Sequence, residues 1–245
     1  MNAPLLYEDA SMIAVSKPAG VVVIPARGGE EAPCLQAALE GLRGEKLWVV
    51  HRLDRDTSGV VLFARTAAEH RRLNGLFEGR RVQKRYLAWT RGAMPSDEGV
   101  IDAALHPARK GKMRPAAPGE EGALPSRTRY RVLRRWEGLA CGTVSEIEAS
   151  PETGRQHQIR VHLRSVDAPL VVDPTYGRAE RVMDTDLGKT GAEVALGRLS
   201  LHAAHIALVA DTGAALVIEA PLPDDLAAWQ AALADAVQRA ACTTR

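Results

Sequence analysis

Leu47-Trp48-Val49-Val50-His51-Arg52-Leu53-Asp54-Arg55-Asp56-Thr57-Ser58-Gly59-Val60-Val61-Leu62-Phe63-Ala64 sets two apolar runs on either side of a polar insert. The pattern predicts strand, turn, strand. The turn carries a carboxylate, Asp54, between Arg52 and Arg55. A carboxylate so placed can act as a nucleophile, and a neighbouring guanidinium favours its ionised form. The plainer reading is a turn aspartate that satisfies local backbone N–H groups. Asp56 fits that plainer role, and Thr57, Ser58 and Gly59 shape the turn.

Outward from this stretch, Leu5 to Tyr7 and Met12 to Ser16 read as short strands, with Val21 to Ile24 extended after Lys17-Pro18-Ala19-Gly20. Residues 33 to 43 read as a helix with Leu35, Leu39 and Leu42 on one face. Thr66 caps a helix running to about Glu78, with Glu69 completing a capping box. Val82 to Thr90 alternates as a strand. Residues 106 to 126 form a basic loop or hairpin of a length that is usually either functional or disordered. Strands follow at Thr128 to Leu133 and Leu139 to Ala149. Gln156 to Ser165 is helix-like, residues 178 to 197 are a polar insertion, and Leu199 to Val209 pairs with Ala215 to Ile218. Asp224 to Gln238 is an amphipathic helix with Leu226, Trp229, Leu233 and Val237 on one stripe. Strands outnumber helices and adjoin each other, so the expected class is α+β: a mixed, largely antiparallel sheet flanked by helices and loops.

The 245 residues are 46% hydrophobic and 25% charged, ordinary globular values, and at 4% aromatic the core must rest on aliphatic side chains. The net charge is only +2, but it is unevenly spread. Residues 43 to 91 hold 12 Lys/Arg against 5 Asp/Glu, and residues 105 to 135 hold 9 against 2. A basic middle suggests a polyanion-binding face, and an arginine-rich solvated surface is the alternative. Cys34, Cys141 and Cys242 are far apart and odd in number, which points to reduced thiols and a cytoplasmic location. Neither a signal peptide nor a membrane span is visible.

Three further stretches carry chemistry. Tyr86, in Lys84-Arg85-Tyr86-Leu87, is either a buried sheet tyrosine or one that stacks on a base and uses its hydroxyl as acid or base. In Thr153-Gly154-Arg155-Gln156-His157-Gln158-Ile159-Arg160-Val161-His162, a helix puts His157 and Arg160 on one side and turns Ile159 and Leu163 to the core. Arg160 can pair with a buried carboxylate or lie at the surface. Arg109-Lys110-Gly111-Lys112-Met113-Arg114 suits phosphate contacts, with a flexible solvated loop as the alternative. His157, His162, His202 and His205 have no metal-site spacing, so no metal is expected. Asp54-x-Asp56-Thr57 also admits a magnesium-dependent phosphatase reading, but His51 and Arg52 stand where that site has an apolar strand.

The string His51-Arg52-Leu53-Asp54-x-x-Thr57-Ser58-Gly59 resembles the active-site motif of the RluA family of RNA pseudouridine synthases. Leu6-Tyr7-Glu8-Asp9 with Ser16-Lys17-Pro18-Ala19-Gly20 resembles its opening strands. Lys84-x-Tyr86, the stretch from Gly154 to His162, Asp173 with Tyr176-Gly177, and Leu201-His202-Ala203 match later motifs in order. Gln156 stands where Thr or Ser is usual, and Val172 where glycine usually precedes Asp173.

The resemblance implies a pseudouridine-synthase fold with a central cleft and isomerisation of a uridine in ribosomal or transfer RNA, without cofactor or metal. Asp54 would be nucleophile or general base. Tyr86 would stack on the uracil, and Arg160 would pair with Asp54. Arg52 would fill the space left by a flipped nucleotide or hold a phosphate, with His51, Thr57, Arg155, His157, Arg109 and Lys112 also at the substrate. Extruding the base costs a few kcal/mol. Some relatives carry a small N-terminal RNA-binding domain. Here the catalytic motifs begin almost at once, so one catalytic domain over residues 1–245 is expected, acting as a monomer away from membranes. The competing reading is an RNA-binding or ribosome-assembly protein whose catalysis is dispensable.

Overall fold

The computed structural model describes residues 3–25, 34–177 and 179–243. In chain order they form β1 (Leu5–Glu8), β2 (Met12–Lys17), α1 (Leu35–Arg43), β3 (Trp48–Val49), β4 (Ser58–Ala64), α2 (Ala67–Glu78), β5 (Gln83–Arg91), β6 (Glu98–Asp102) and β7 (Leu105–Pro107). There follow β8 (Met113–Pro115), β9 (Arg127–Trp136), β10 (Val144–Pro151), α3 (Gln158–Ser165), β11 (Val182–Met183), β12 (Val194–Leu196), β13 (Leu201–Val209), β14 (Ala215–Glu219) and α4 (Asp224–Thr243). Two compact units share them: Met1–Arg85 with His202–Pro221, and Tyr86–Leu201 with Leu222–Arg245. The α+β class expected from the sequence is the one found.

In the first unit the strand order is β1-β2-β4-β13, with β14 beside β13 and β3 beside β4. All seven residues of β4 are buried. One of its edges pairs antiparallel with β2 from Met12↔Ala64 to Lys17↔Gly59. It also pairs in parallel with β13 at His202↔Ser58 and Ala203↔Gly59, and antiparallel with β3 at Trp48↔Ala64 and Val49↔Phe63. Alternate residues Val60, Leu62 and Ala64 pack with Met12 and Ala14, with Leu73 and Leu76 of α2, and with Ile206, Leu208 and Ile218.

Helix α1 is capped by Cys34, whose sulfur accepts the Ala37 N–H, and stops at left-handed Gly44. Leu35 and Leu39 are buried as expected, but Leu42 is 82% exposed. Periodicity assigns a face, and neighbouring structure decides how much of that face is covered. Residue 33, the expected helix start, lies outside the described residues. Thr66 Oγ1 accepts the Glu69 N–H at 3.1 Å. The return half of the capping box does not form, because the Glu69 carboxylate is bidentate on Arg72 at 2.7 and 2.6 Å. Val21 to Ile24 forms no strand.

In the second unit β5, β10, β9 and β6 lie side by side, all antiparallel. β6 has no counterpart among the strands expected from local pattern, and β10 begins at Val144, not Leu139, because residues 139 to 142 turn. Leu226, Trp229 and Leu233 of α4 pack with Trp89, Trp136, Val144, Val171 and Val172. The stretch read as a polar insertion adds Val182, Leu187 and Leu196 to this core, so it is part of the packing. Ile159 and Leu163 join Ala88, Ile147, Ala149 and Leu170 in another cluster.

The arginines of β9 do not make a positive face. Arg127 meets Asp102 and Glu152, Arg129 meets Glu152, Arg131 meets Glu148, Arg134 meets Glu146 and Arg135 meets Asp97. Carboxylates on neighbouring strands and turns cancel a charge run that looks basic along the chain.

Candidate active site

The Asp54 turn belongs to the first unit, and three devices hold it. The first is Lys17, the last residue of β2, which is 0% exposed. Its ammonium donates to the carbonyls of Pro18, Val21 and Arg55 at 2.8, 2.7 and 2.8 Å. Such a buried charge is tolerable because its three N–H donors meet oxygens. The second is Ser58 Oγ, 2.8 Å from His202 Nδ1, whose Nε2 lies 3.2 Å from the Ala220 carbonyl. In the neutral ring Nε2 donates to that carbonyl and Nδ1 accepts from the serine.

The third is Gly59, at φ +120°, where an added Cβ would lie 2.1 Å from the Ala203 carbonyl oxygen. Only glycine lets β4 and β13 approach so closely. Thr57 N donates to the Asp54 carbonyl at 3.2 Å and closes the turn. Asp54 is half-buried, while Arg52, Arg55 and Asp56 are exposed. The Arg55 Nε donates to the Gly20 carbonyl at 3.1 Å. Thr57 is buried, and its hydroxyl has no hydrogen-bond partner among the described residues.

His51 is built into the fold. Its Nε2 accepts the Leu62 N–H at 3.0 Å, between the stretches of β4 that pair with β13 and with β3. Its ring stacks on Phe77 with centroids 4.9 Å apart. Burial first, and the Lys84 ammonium second, push its pKa down to about 3, so the imidazole is neutral at physiological pH. Burial likewise lowers the pKa of Lys84.

The second unit holds Tyr86, Arg155, His157, Arg160, Arg109 and Lys112. Tyr86 is half-buried on β5, opposite Ala149. The α3 helix starts at Gln158, later than the sequence suggests, because His157 takes a left-handed conformation at φ 54°. Gln158 locks the preceding turn. Its Oε1 accepts from Thr153 Oγ1 and Arg155 N, and its Nε2 donates to the Arg127 carbonyl and to Thr128 Oγ1. Arg155 Nε donates to the Pro125 carbonyl at 3.2 Å.

Arg160 is 5% exposed and forms a bidentate pair with Asp173, Nε to Oδ2 at 2.8 Å and an Nη2 bond to Oδ1 at 2.7 Å. Oδ1 of Asp173 also accepts the N–H groups of Thr175 and Tyr176. The guanidinium lies over the Tyr176 ring, 5.0 Å from its centroid.

Arg109, Lys110 and Lys112 are exposed at the tip of the β7–β8 hairpin, as anticipated for residues 106 to 126. Arg114 is neutralised by Glu120. Met113 is buried with Leu105, Val161 and Tyr176.

In the sequence Lys17, Asp173 and Tyr176 stand out only as motif matches, and Gln156 only as a departure from the motif. Lysine at the end of an apolar strand was the available signal for a buried cation. Asp173 after Leu170-Val171-Val172 was the signal for a buried anion. Val172, the other departure, fills the α4 core. Among the described residues no group of three His, Cys, Asp or Glu side chains is arranged to hold a metal, and no helix is long and apolar enough to cross a membrane.

Residues 11–165 match the family described as RNA pseudouridylate synthase. The chain belongs to that family. The resemblance drawn from the motif at His51 to Gly59 is borne out. Ribosomal large subunit pseudouridine synthase D of Nitrosomonas europaea is 38% identical over 231 residues, 91% of this chain and 63% of that protein. Ribosomal large subunit pseudouridine synthase C of Escherichia coli O157:H7 is 37% identical over 230 residues, 91% of this chain and 67% of that protein. The chain therefore spans under two thirds of the first relative's length and about two thirds of the second's. The solved structure of human RNA pseudouridylate synthase domain containing 4 superposes with a TM-score of 0.75 at 26% identity, covering 94% of this chain and 93% of that one.

Proposed function

We propose that this chain is an RNA pseudouridine synthase acting on structured RNA, with large-subunit ribosomal RNA as substrate. The observation that carries the reading is the Asp54 turn: a half-buried carboxylate held by Lys17, by the Ser58–His202 bond and by the close approach at Gly59. Preorganisation of that kind is what a reacting carboxylate needs. The substrate class follows the names of the relatives.

The reaction breaks the N1–C1′ bond of uridine, turns the uracil and closes a C5–C1′ bond. The proton lost from C5 is balanced by one gained at N1. In this reading Asp54 is the nucleophile or general base, Tyr86 stacks on the uracil, and Arg160 is the cation assigned to Asp54. Arg52 occupies the space of the extruded nucleotide or holds a phosphate. His51 acts through the turn it braces, and Thr57 offers a hydroxyl. Arg155 and His157, with Arg109 and Lys112 of the hairpin, face the RNA. The enzyme works as a cytoplasmic monomer.

The test maps pseudouridine in total RNA from cells with and without the protein. A site that vanishes on deletion and returns with the wild type, but not with Asp54→Ala, supports the proposal. A deletion phenotype rescued equally by Asp54→Ala, with no site lost, favours an RNA-binding role.

A further inference from the structure

Tyr176 connects three things that the reaction does not obviously require it to connect. Its hydroxyl accepts the Met113 N–H at 2.8 Å and stands 2.6 Å from His157 Nδ1. The Met113 N–H can only donate, so the phenolic oxygen accepts it; toward His157 the hydroxyl donates when Nδ1 is unprotonated and accepts when Nδ1 carries the proton. Its ring meets the His157 ring edge-on, with centroids 5.4 Å apart, and supports the Arg160 guanidinium on its face. Its own N–H donates to Asp173 Oδ1, the oxygen that also takes Nη2 of Arg160.

A second tie runs beside the first. Gln156 Nε2 donates to the Gly111 carbonyl at 3.0 Å. Gly111 lies between Lys110 and Lys112, so the hairpin tip is bonded to the turn that opens α3. The tip itself is a 3-10 turn in which Lys110 (φ 57°) and Gly111 (φ 67°) are both left-handed. Such a turn has little stability of its own and depends on what it is bonded to.

We propose that Tyr176 is a positioning residue with two separable jobs. The hydroxyl presents the basic hairpin tip, Arg109 to Lys112, to RNA phosphates, and the ring holds the Arg160 guanidinium in orientation. Gln156 is the auxiliary latch on the same hairpin. The inference rests on the functional reading above. It assigns substrate affinity to the hydroxyl and turnover to the ring.

The experiment measures kcat and KM for pseudouridine formation in transcribed large-subunit ribosomal RNA. Tyr176→Phe keeps the ring and removes the hydroxyl. It raises KM about fivefold, the worth of one neutral hydrogen bond, with kcat within about twofold. Tyr176→Leu removes the cation–π platform and lowers kcat about tenfold or more. Lys112→Ala costs less affinity in the Tyr176→Phe background than in the wild type, because a released tip has already lost part of that contact. Gln156→Ala adds to Tyr176→Phe in KM only.

A Tyr176→Phe protein with lowered melting temperature and unchanged KM overturns the presenting role. A Tyr176→Leu protein with wild-type kcat overturns the orienting role. Wild-type protein that forms no pseudouridine refutes the functional reading instead. The Tyr176→Phe and Lys112→Ala cycle is then read as affinity for the same RNA, where strict additivity refutes the coupling.

Discussion

The Lys17 ammonium and the Arg55 carbonyl are 2.8 Å apart, and Lys17 is wholly buried. The bond joins the end of β2 to the residue after Asp54. Lys17→Met keeps the length of the side chain and leaves three carbonyls without their donor. Denaturant unfolding is expected to show a loss of about 1–3 kcal/mol, less than three fully buried groups would cost, since the carbonyls belong to half-buried Pro18 and Val21 and exposed Arg55 and water satisfies them in part. A loss below about 1 kcal/mol would show that the ammonium is not what fixes the turn.

His51 makes stability pH-dependent. Its folded pKa of about 3 lies below the ordinary 6.5, so below pH 6.5 the unfolded chain takes up a proton that the folded chain refuses. Stability is present above about 6.5 and falls progressively as pH drops toward 3. His51→Gln can still accept the Leu62 N–H through its amide oxygen but does not titrate. Its unfolding free energy is expected to vary less between pH 6.5 and 5, above the range where most carboxylates titrate. Parallel curves for the two proteins would refute the buried neutral imidazole.

Asp54→Ala is expected to abolish pseudouridine formation while leaving RNA affinity within about tenfold, since an uncharged side chain in the turn leaves phosphate contacts in place. Residual turnover in a clean preparation would remove Asp54 from the chemistry.

Gly59→Ala meets the Ala203 backbone at 2.1 Å with φ at +120°. No side-chain motion relieves a clash with a carbonyl. The variant is expected to lose about 2–4 kcal/mol, as for strained backbone combined with overpacking. Near-native thermal stability would show that β4 and β13 can separate at little cost.

RNA binding is expected to weaken steeply with salt. Arg109→Ala and Lys112→Ala should each reduce the slope of log affinity against log salt by about one. Arg131→Ala should leave it nearly unchanged, because Arg131 faces Glu148. A slope equally sensitive to Arg131 would mean that the β9 arginines leave their glutamates to meet RNA.

The strand, turn, strand around Asp54 was readable because period and turn chemistry act over a few residues. So were α2, the final strand pair and the stripe on α4, whose Leu226, Trp229 and Leu233 are all buried. What the chain hides is partnership at a distance. The run from Arg127 to Arg135 counts as basic along the sequence, but Asp97, Asp102, Glu146, Glu148 and Glu152 arrive from other strands and turns. His51 looks like a ligand beside an active carboxylate until Leu62 is seen to need its Nε2. Gln156 looks peripheral until Gly111 is found beside it. Each follows from register and chain crossing, which local pattern does not contain.

Ser58 and His202, whose bond steadies the Asp54 turn, are 144 residues apart in the chain. A ribosome making this protein releases Asp54 long before His202 and Ala203 exist, so the parallel strand that fixes the turn comes late. Until then the nascent carboxylate sits on a loop without its anchor. Any product cut short before residue 203 carries the whole Asp54 motif in a form that has never been set in place.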